Sequence, residues 1–127
     1  MDLAMKYAAG LMFAVLAVLV PAAASAADDP AKGKQQFAKC GMCHTLEPGK
    51  AKIGPSLAGI LGRKSASQAG YGYSKAMQAS GIVWTPQNID KYITNPRAMV
   101  PGGKMVFAGM PKPEDRANLI AYLKKPQ

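Results

Sequence analysis

Residues 40–44 read CGMCH, and they hold both cysteines and the single histidine of the chain. Four chemistries compete for two thiols three apart with an imidazole directly after them. A structural zinc site needs four ligands, usually Cys and His, and this chain offers two Cys and one His. A thioredoxin-like dithiol needs a βαβ frame around its CxxC, and no strand pattern surrounds this one. A disulfide suits an oxidising compartment, but so short a loop constrains little of the unfolded chain. Covalent haem attachment fits best. Cys40 and Cys43 would each form a thioether with one haem vinyl group, and His44 would swing under the ring to give an imidazole nitrogen to iron.

With His44 on one face, a second histidine is not available for the other. Thioether sulfur is the usual alternative. Met42 lies inside the motif and on the wrong side, and Met77 falls in an expected short helix. Met99, Met105 and Met110 all fall in a Gly/Pro-rich loop where backbone can approach a haem face, and residue chemistry alone leaves the three open. Met105, in PGGKMVFAGM, has glycines on both sides and Phe107 beside it.

The elements that must position these groups can be read along the chain. Asp29-Pro30 starts a helix, with Asp as cap and Pro at the first helical position. It runs into CGMCH with Phe37 and Cys40 on one face. Residues 45–73 read as turns, punctuated by Glu47-Pro48-Gly49, Gly54-Pro55, Gly59, Gly62, Gly70 and Gly72. Ser74 to Ser80 forms a short helix stopped by Gly81. Thr85-Pro86 starts another that ends at Asn95, because Pro96 forbids continuation. Met99 to Pro111 is loop. A final helix covers Pro113 to Lys124, acidic in its first turn, basic in its last, with Leu119, Ile120 and Leu123 as its apolar stripe. The expected class is all-α, with four to five short helices and long loops.

A chain of 127 residues is one domain by default. Its 13 Gly and 10 Pro imply much loop and a modest core, a deficit that a large buried cofactor would repair. The N-terminus reads as an export signal, residues 1–26. Lys6 is its positive region, Tyr7–Val20 its apolar run, Pro21 the break and Ala24-Ser25-Ala26 the cleavage site. Residues 27–127 are then the mature domain. The charge-free stretch Tyr7–Ala27 is also long enough for a marginal membrane span, the competing assignment. The net charge of +9 survives cleavage, because Asp2 and Lys6 leave together. Such a balance favours acidic protein surfaces or anionic membranes. Nucleic acid is the weaker partner, since no binding motif or aromatic-interleaved basic stretch is present.

The segments GKQQFAKCGMCHT, GPSLAGILGRK, GYGYSKAM, GIVW, YITNPRAMVPGGKMVFAGM and LIAYLKK, in this order, resemble the class I cytochromes c. That branch holds mitochondrial cytochrome c and the small soluble bacterial cytochromes. The likeness spans Asp29 to Lys125. It implies the cytochrome c fold wrapped around one covalent haem c. Met105 matches the axial methionine, and Pro55 the proline whose carbonyl accepts a hydrogen bond from the axial histidine. Tyr73 and Trp84 match residues that bond a haem propionate, and Arg63 the arginine near it. Tyr92 matches a tyrosine near the axial sulfur, and Gly33 and Phe37 the contact with the C-terminal helix. Lys39, Lys52, Arg97, Lys104 and Lys112 match basic positions around the exposed haem edge.

Two departures stand out. Gly103 replaces a threonine that holds the inner propionate in mitochondrial proteins, and the Thr45–Pro55 loop is one residue shorter. The resemblance implies a monomeric periplasmic one-electron carrier rather than an enzyme. Its partners would be the acidic faces of a bc-type complex, an oxidase, a reaction centre or a dehydrogenase, with transient membrane-surface contact. A haem-based ligand sensor or peroxidase-like enzyme is the alternative if Met105 leaves readily.

Overall fold

The computed structural model of the chain describes Leu19 and residues 28–126. The expected leader, residues 1–26, lies outside the described residues except for Leu19. Among the described residues there are five helices: α1 (Pro30–Gly41), α2 (Lys75–Ala79), α3 (Pro86–Thr94), α4 (Pro96–Met99) and α5 (Pro113–Lys124). Extended pairing is limited there to one isolated antiparallel bridge, Lys64 with Val83. No described helix is long and apolar enough to cross a membrane.

Local chemistry places most of these boundaries. The Asp29 carboxylate accepts from the N–H groups of Ala31 and Lys32 at 2.9 and 3.3 Å, and Pro30 fills the first helical position. Ser74 Oγ caps α2 through Met77 N–H at 3.0 Å. Thr85 Oγ1 caps α3 through Asn88 N–H at 3.1 Å.

The segment after α3 differs from expectation. The helix ends at Thr94, one residue early, because Asn95 is extended. Residues 96–99, expected partly as loop, form the single turn α4. Pro96 cannot donate into α3, yet its fixed φ suits the first position of a new helix. The Asn95 side chain caps that helix by accepting from Ala98 N–H at 3.3 Å. An Asn-Pro pair thus stops one helix and starts the next, and Met99 sits in α4.

The main helix crossing joins α1 to α5. A Cβ on Gly33 would lie 2.7 Å from Tyr122 Cβ and would also strike the Asn118 backbone carbonyl. Only glycine allows the two helices so close. Around that point the Phe37 and Tyr122 rings meet with centroids 5.7 Å apart. Asn118 Oδ1 accepts from Asp29 N–H at 2.9 Å, so α5 helps to cap α1. Beneath the crossing, Leu119, Ile120 and Leu123 join Ile60, Trp84, Ile89, Tyr92, Val100 and Met110 in one buried cluster.

Replacing Gly33 with Ala should lower stability by about 2 kcal/mol, an overpacking cost with no slack in facing backbone. Urea unfolding followed by circular dichroism measures this, and an unchanged midpoint would contradict the close approach.

Candidate haem-binding site

Helix α1 delivers the attachment residues. The Cys40 carbonyl accepts from Cys43 N–H at 3.0 Å and from His44 N–H at 2.9 Å, so the helical path runs on through the motif. Cys40, Cys43 and His44 therefore share one face, at i, i+3 and i+4. Both thiols are free and half-buried. Burial pushes the Cys40 thiol above its usual range; nearby Lys39 opposes that and Cys43 adds to it.

The 43–57 loop then fixes the imidazole. Gly54 N–H donates to Cys43 O at 2.8 Å, and Leu57 N–H to Thr45 O at 2.9 Å. Thr45 Oγ1 donates to Lys50 O at 2.6 Å, and fully buried Ser56 donates through Oγ to Glu47 O, also at 2.6 Å. The His44 ring lies flat against Gly54: a Cβ there would be 2.7 Å from Nδ1 and closer still to Cε1. His44 Nδ1 donates to Pro55 O at 2.7 Å. A carbonyl can only accept, so the proton is on Nδ1 and the lone pair on Nε2. Burial lowers the His44 pKa, and the Pro55 bond partly offsets this. At neutral pH the ring is the uncharged imidazole that a metal ion requires.

The methionines separate by environment. Met110 is 2% exposed and belongs to the core, whereas Met42 is 80% exposed. Met77 Sδ faces Ser80 Oγ at 3.8 Å. Met105 is partly buried, and Tyr92 Oη donates to its sulfur at 3.9 Å. Burial raises the Tyr92 pKa, with Tyr71 adding to the effect, so the phenol stays a neutral donor.

Arg63, Tyr73 and Trp84 are linked through the fold. Arg63 Nη1 donates to Ser56 O at 3.1 Å and Ala58 O at 2.8 Å. Arg63 and Trp84 are neighbours through the bond from Trp84 N–H to Arg63 O at 2.8 Å. Trp84 is buried, its ring centroid 5.0 Å from that of Tyr92. Tyr73 Oη accepts from Gln68 N–H at 3.0 Å, and Gln68 Oε1 accepts from Ser56 N–H at 2.7 Å. Gln68 carries no sequence signal for this bridging position.

The basic residues fall into two groups. Lys39, Arg97 and Lys112 are exposed. Lys52 Nζ donates to Gly41 O at 2.9 Å and ties the loop back to the end of α1. Lys104 Nζ donates to Gly72 O and stands 5.0 Å above the Tyr71 ring, strapping the Met105 loop to the 70–73 turn. A further cation, Arg116, was legible as a charge on the apolar face of α5, at i relative to Leu119, Ile120 and Leu123 at i+3, i+4 and i+7. It is buried, paired with Asp90, and bonds the carbonyls of Met110 and Pro111.

Comparison with known proteins decides the family. Residues 30–126 match the Cytochrome c family model. The chain belongs to the cytochrome c family. It is 46% identical to cytochrome c2 of Rhodomicrobium vannielii, covering 84% of this chain and 86% of that one. It is 47% identical to cytochrome c-554 of Methylosinus trichosporium, over 91% and 86%. Among solved structures it resembles cytochrome cH from Methylobacterium extorquens, with TM-score 0.72 and 39% identity, covering 76% of this chain and 97% of that one. This cytochrome c is an electron-transport protein that binds haem c covalently, and Cys40 and Cys43 fit the attachment motif.

The residues fit that group: two free thiols on one helical face, a neutral imidazole with an available nitrogen, and a glycine floor that any Cβ would fill. Among the described residues no three His, Cys, Asp or Glu side chains cluster to hold a bare metal ion.

Gly54→Ala should displace the His44 ring from Pro55 O and cost about 1–3 kcal/mol. Intact-mass measurement should show a lower fraction of covalently loaded protein, and unfolding a lower midpoint. Full loading with unchanged stability would refute the packing of the ring on Gly54.

Proposed function

We propose that this cytochrome c is a soluble one-electron carrier of the periplasm, exported by residues 1–26 and folded over residues 27–127. Cys40 and Cys43 would hold the haem through thioethers, and His44 Nε2 and Met105 Sδ would bind its iron. The observation that carries this is the Met105 sulfur, which accepts from the Tyr92 hydroxyl at 3.9 Å and is only partly buried, unlike core Met110.

Haem c supplies, when bound, an iron that exchanges one electron between Fe(II) and Fe(III). The bonds from His44 to Pro55 and from Tyr92 to Met105 would hold these two side chains in place in either state. Pro55 orients His44 and raises its basicity. The soft sulfur of Met105 would favour the reduced form and raise the potential. Arg63, Tyr73 and Trp84 would answer the propionate charge, which is costly to bury unpaired. No product forms, and the protein is not an enzyme in this assignment. The curated relatives are themselves named cytochrome c2, c-554 and c, which supports a shuttle between redox complexes.

The basic residues provide docking. Lys39, Arg97 and Lys112 steer acidic faces of a donor and an acceptor toward the haem edge, with fast and weak association. Candidate partners are a bc-type complex, an oxidase, a reaction centre or a dehydrogenase. Lys52 and Lys104 share this role with the structural bonds described above.

Met105→Ala should abolish the weak near-red absorption band of the oxidised protein and let carbon monoxide bind the reduced form rapidly. A wild-type protein that already lacks the band and binds carbon monoxide would instead support a sensor or peroxidase-like enzyme. Lys39→Glu with Lys112→Glu should slow electron transfer to an acidic partner several-fold at low salt, the difference closing as salt screens it. Equal rates at low salt would exclude steering by these residues.

A further inference from the structure

The segment that carries Met105 returns to the body of the protein along α3, which holds it at adjacent points. Met110 N–H donates to Ile93 O at 2.7 Å. Gly109, at φ +105°, lies so close to Thr94 that a Cβ would be 3.1 Å from its carbonyl carbon. The third hold is indirect. Arg116 of α5 donates through Nη1 to Met110 O at 2.8 Å and Pro111 O at 3.1 Å. Its Nε donates to Asp90 Oδ1 of α3 at 2.7 Å.

We infer that Asp90 is a positioning residue for Met105, acting through Arg116 to set how readily the sulfur leaves the iron. The inference rests on Met105 as axial ligand. A guanidinium presents its donors in a rigid fork, so fixing Nε fixes the direction of Nη1. The Arg116 side chain is 10% exposed and Asp90 44%. Asp90 is thus the accessible half of the pair, and the buried guanidinium depends on it for its only carboxylate among the described residues. Without that acceptor the fork turns toward water to recover hydrogen bonds. The carbonyls of Met110 and Pro111 then lose their donor, and the far anchor of the Met105 loop loosens. Tyr92 lies on the same helix, two residues from Asp90, and shares its frame with the sulfur.

The test uses oxidised holoprotein mixed with imidazole, a small ligand that enters only as Met105 departs, with loss of the near-red band as the signal. Asp90→Ala, which removes the acceptor, should accelerate imidazole entry about tenfold, the size of one lost charge-assisted hydrogen bond. Asp90→Glu should return the rate close to wild type. Glu47→Gln, which breaks the other ion pair among the described residues, Lys50 with Glu47 at 3.0 Å, should leave it unchanged. Urea midpoints of all variants separate loop release from global unfolding. An unchanged rate in Asp90→Ala, or one that rises only in step with lost global stability, overturns the inference while leaving Met105 as ligand. Absence of the band in the wild-type protein overturns the Met105 assignment, and this inference with it.

Discussion

The approach of α1 to α5 at Gly33 is the constraint on which the rest depends. One end of α1 leads into the attachment motif, so the angle and depth of the crossing place Cys40, Cys43 and His44. On the other helix, Arg116 stands near the start of α5 and reaches the end of the Met105 loop. A single glycine therefore sets the relation between the attachment motif and the helix that anchors the Met105 segment. Asn118 reinforces the contact by completing the cap of α1 across 89 residues of sequence.

The two faces of the site are held by different physics. On the His44 side the bonds are local: Gly54 to Cys43, Leu57 to Thr45, and His44 to Pro55, eleven residues apart. A short loop closed by its own backbone loses little entropy on ordering and gives the imidazole one orientation. On the Met105 side the restraints come from side chains of other elements. Tyr92 reaches the sulfur, Lys104 reaches Gly72, and Arg116 reaches Met110 and Pro111. Each is made by a side chain, and Lys104 and Tyr92 reach across 32 and 13 residues of sequence.

Much of this was legible in the residues. Caps such as Asp29, Ser74 and Thr85 announce helix starts because their oxygens satisfy specific N–H groups within three positions. The motif spacing reads directly because a helix places i, i+3 and i+4 together. The single turn α4 was missed because a proline was read only as a stop, whereas after Asn95 it also starts a helix. The placing of Lys104 among docking residues was incomplete. Its amine also crosses to Gly72 and Tyr71, a contact that depends on how two loops 32 residues apart pack.

The sequence by itself determined the attachment chemistry, the helix starts, the all-α class and the shortage of histidine that sends the search for a second ligand to methionine. Each depends on residue type at short spacing, where local geometry has few solutions. Tertiary packing separated the methionines by environment. It buried Met110, left Met42 outside and set Met105 beneath Tyr92. It also turned Arg116 and Asp90 from surface-type charges into an anchor for the loop. Those outcomes follow from packing between segments far apart in the chain, and no local pattern encodes the distance between them.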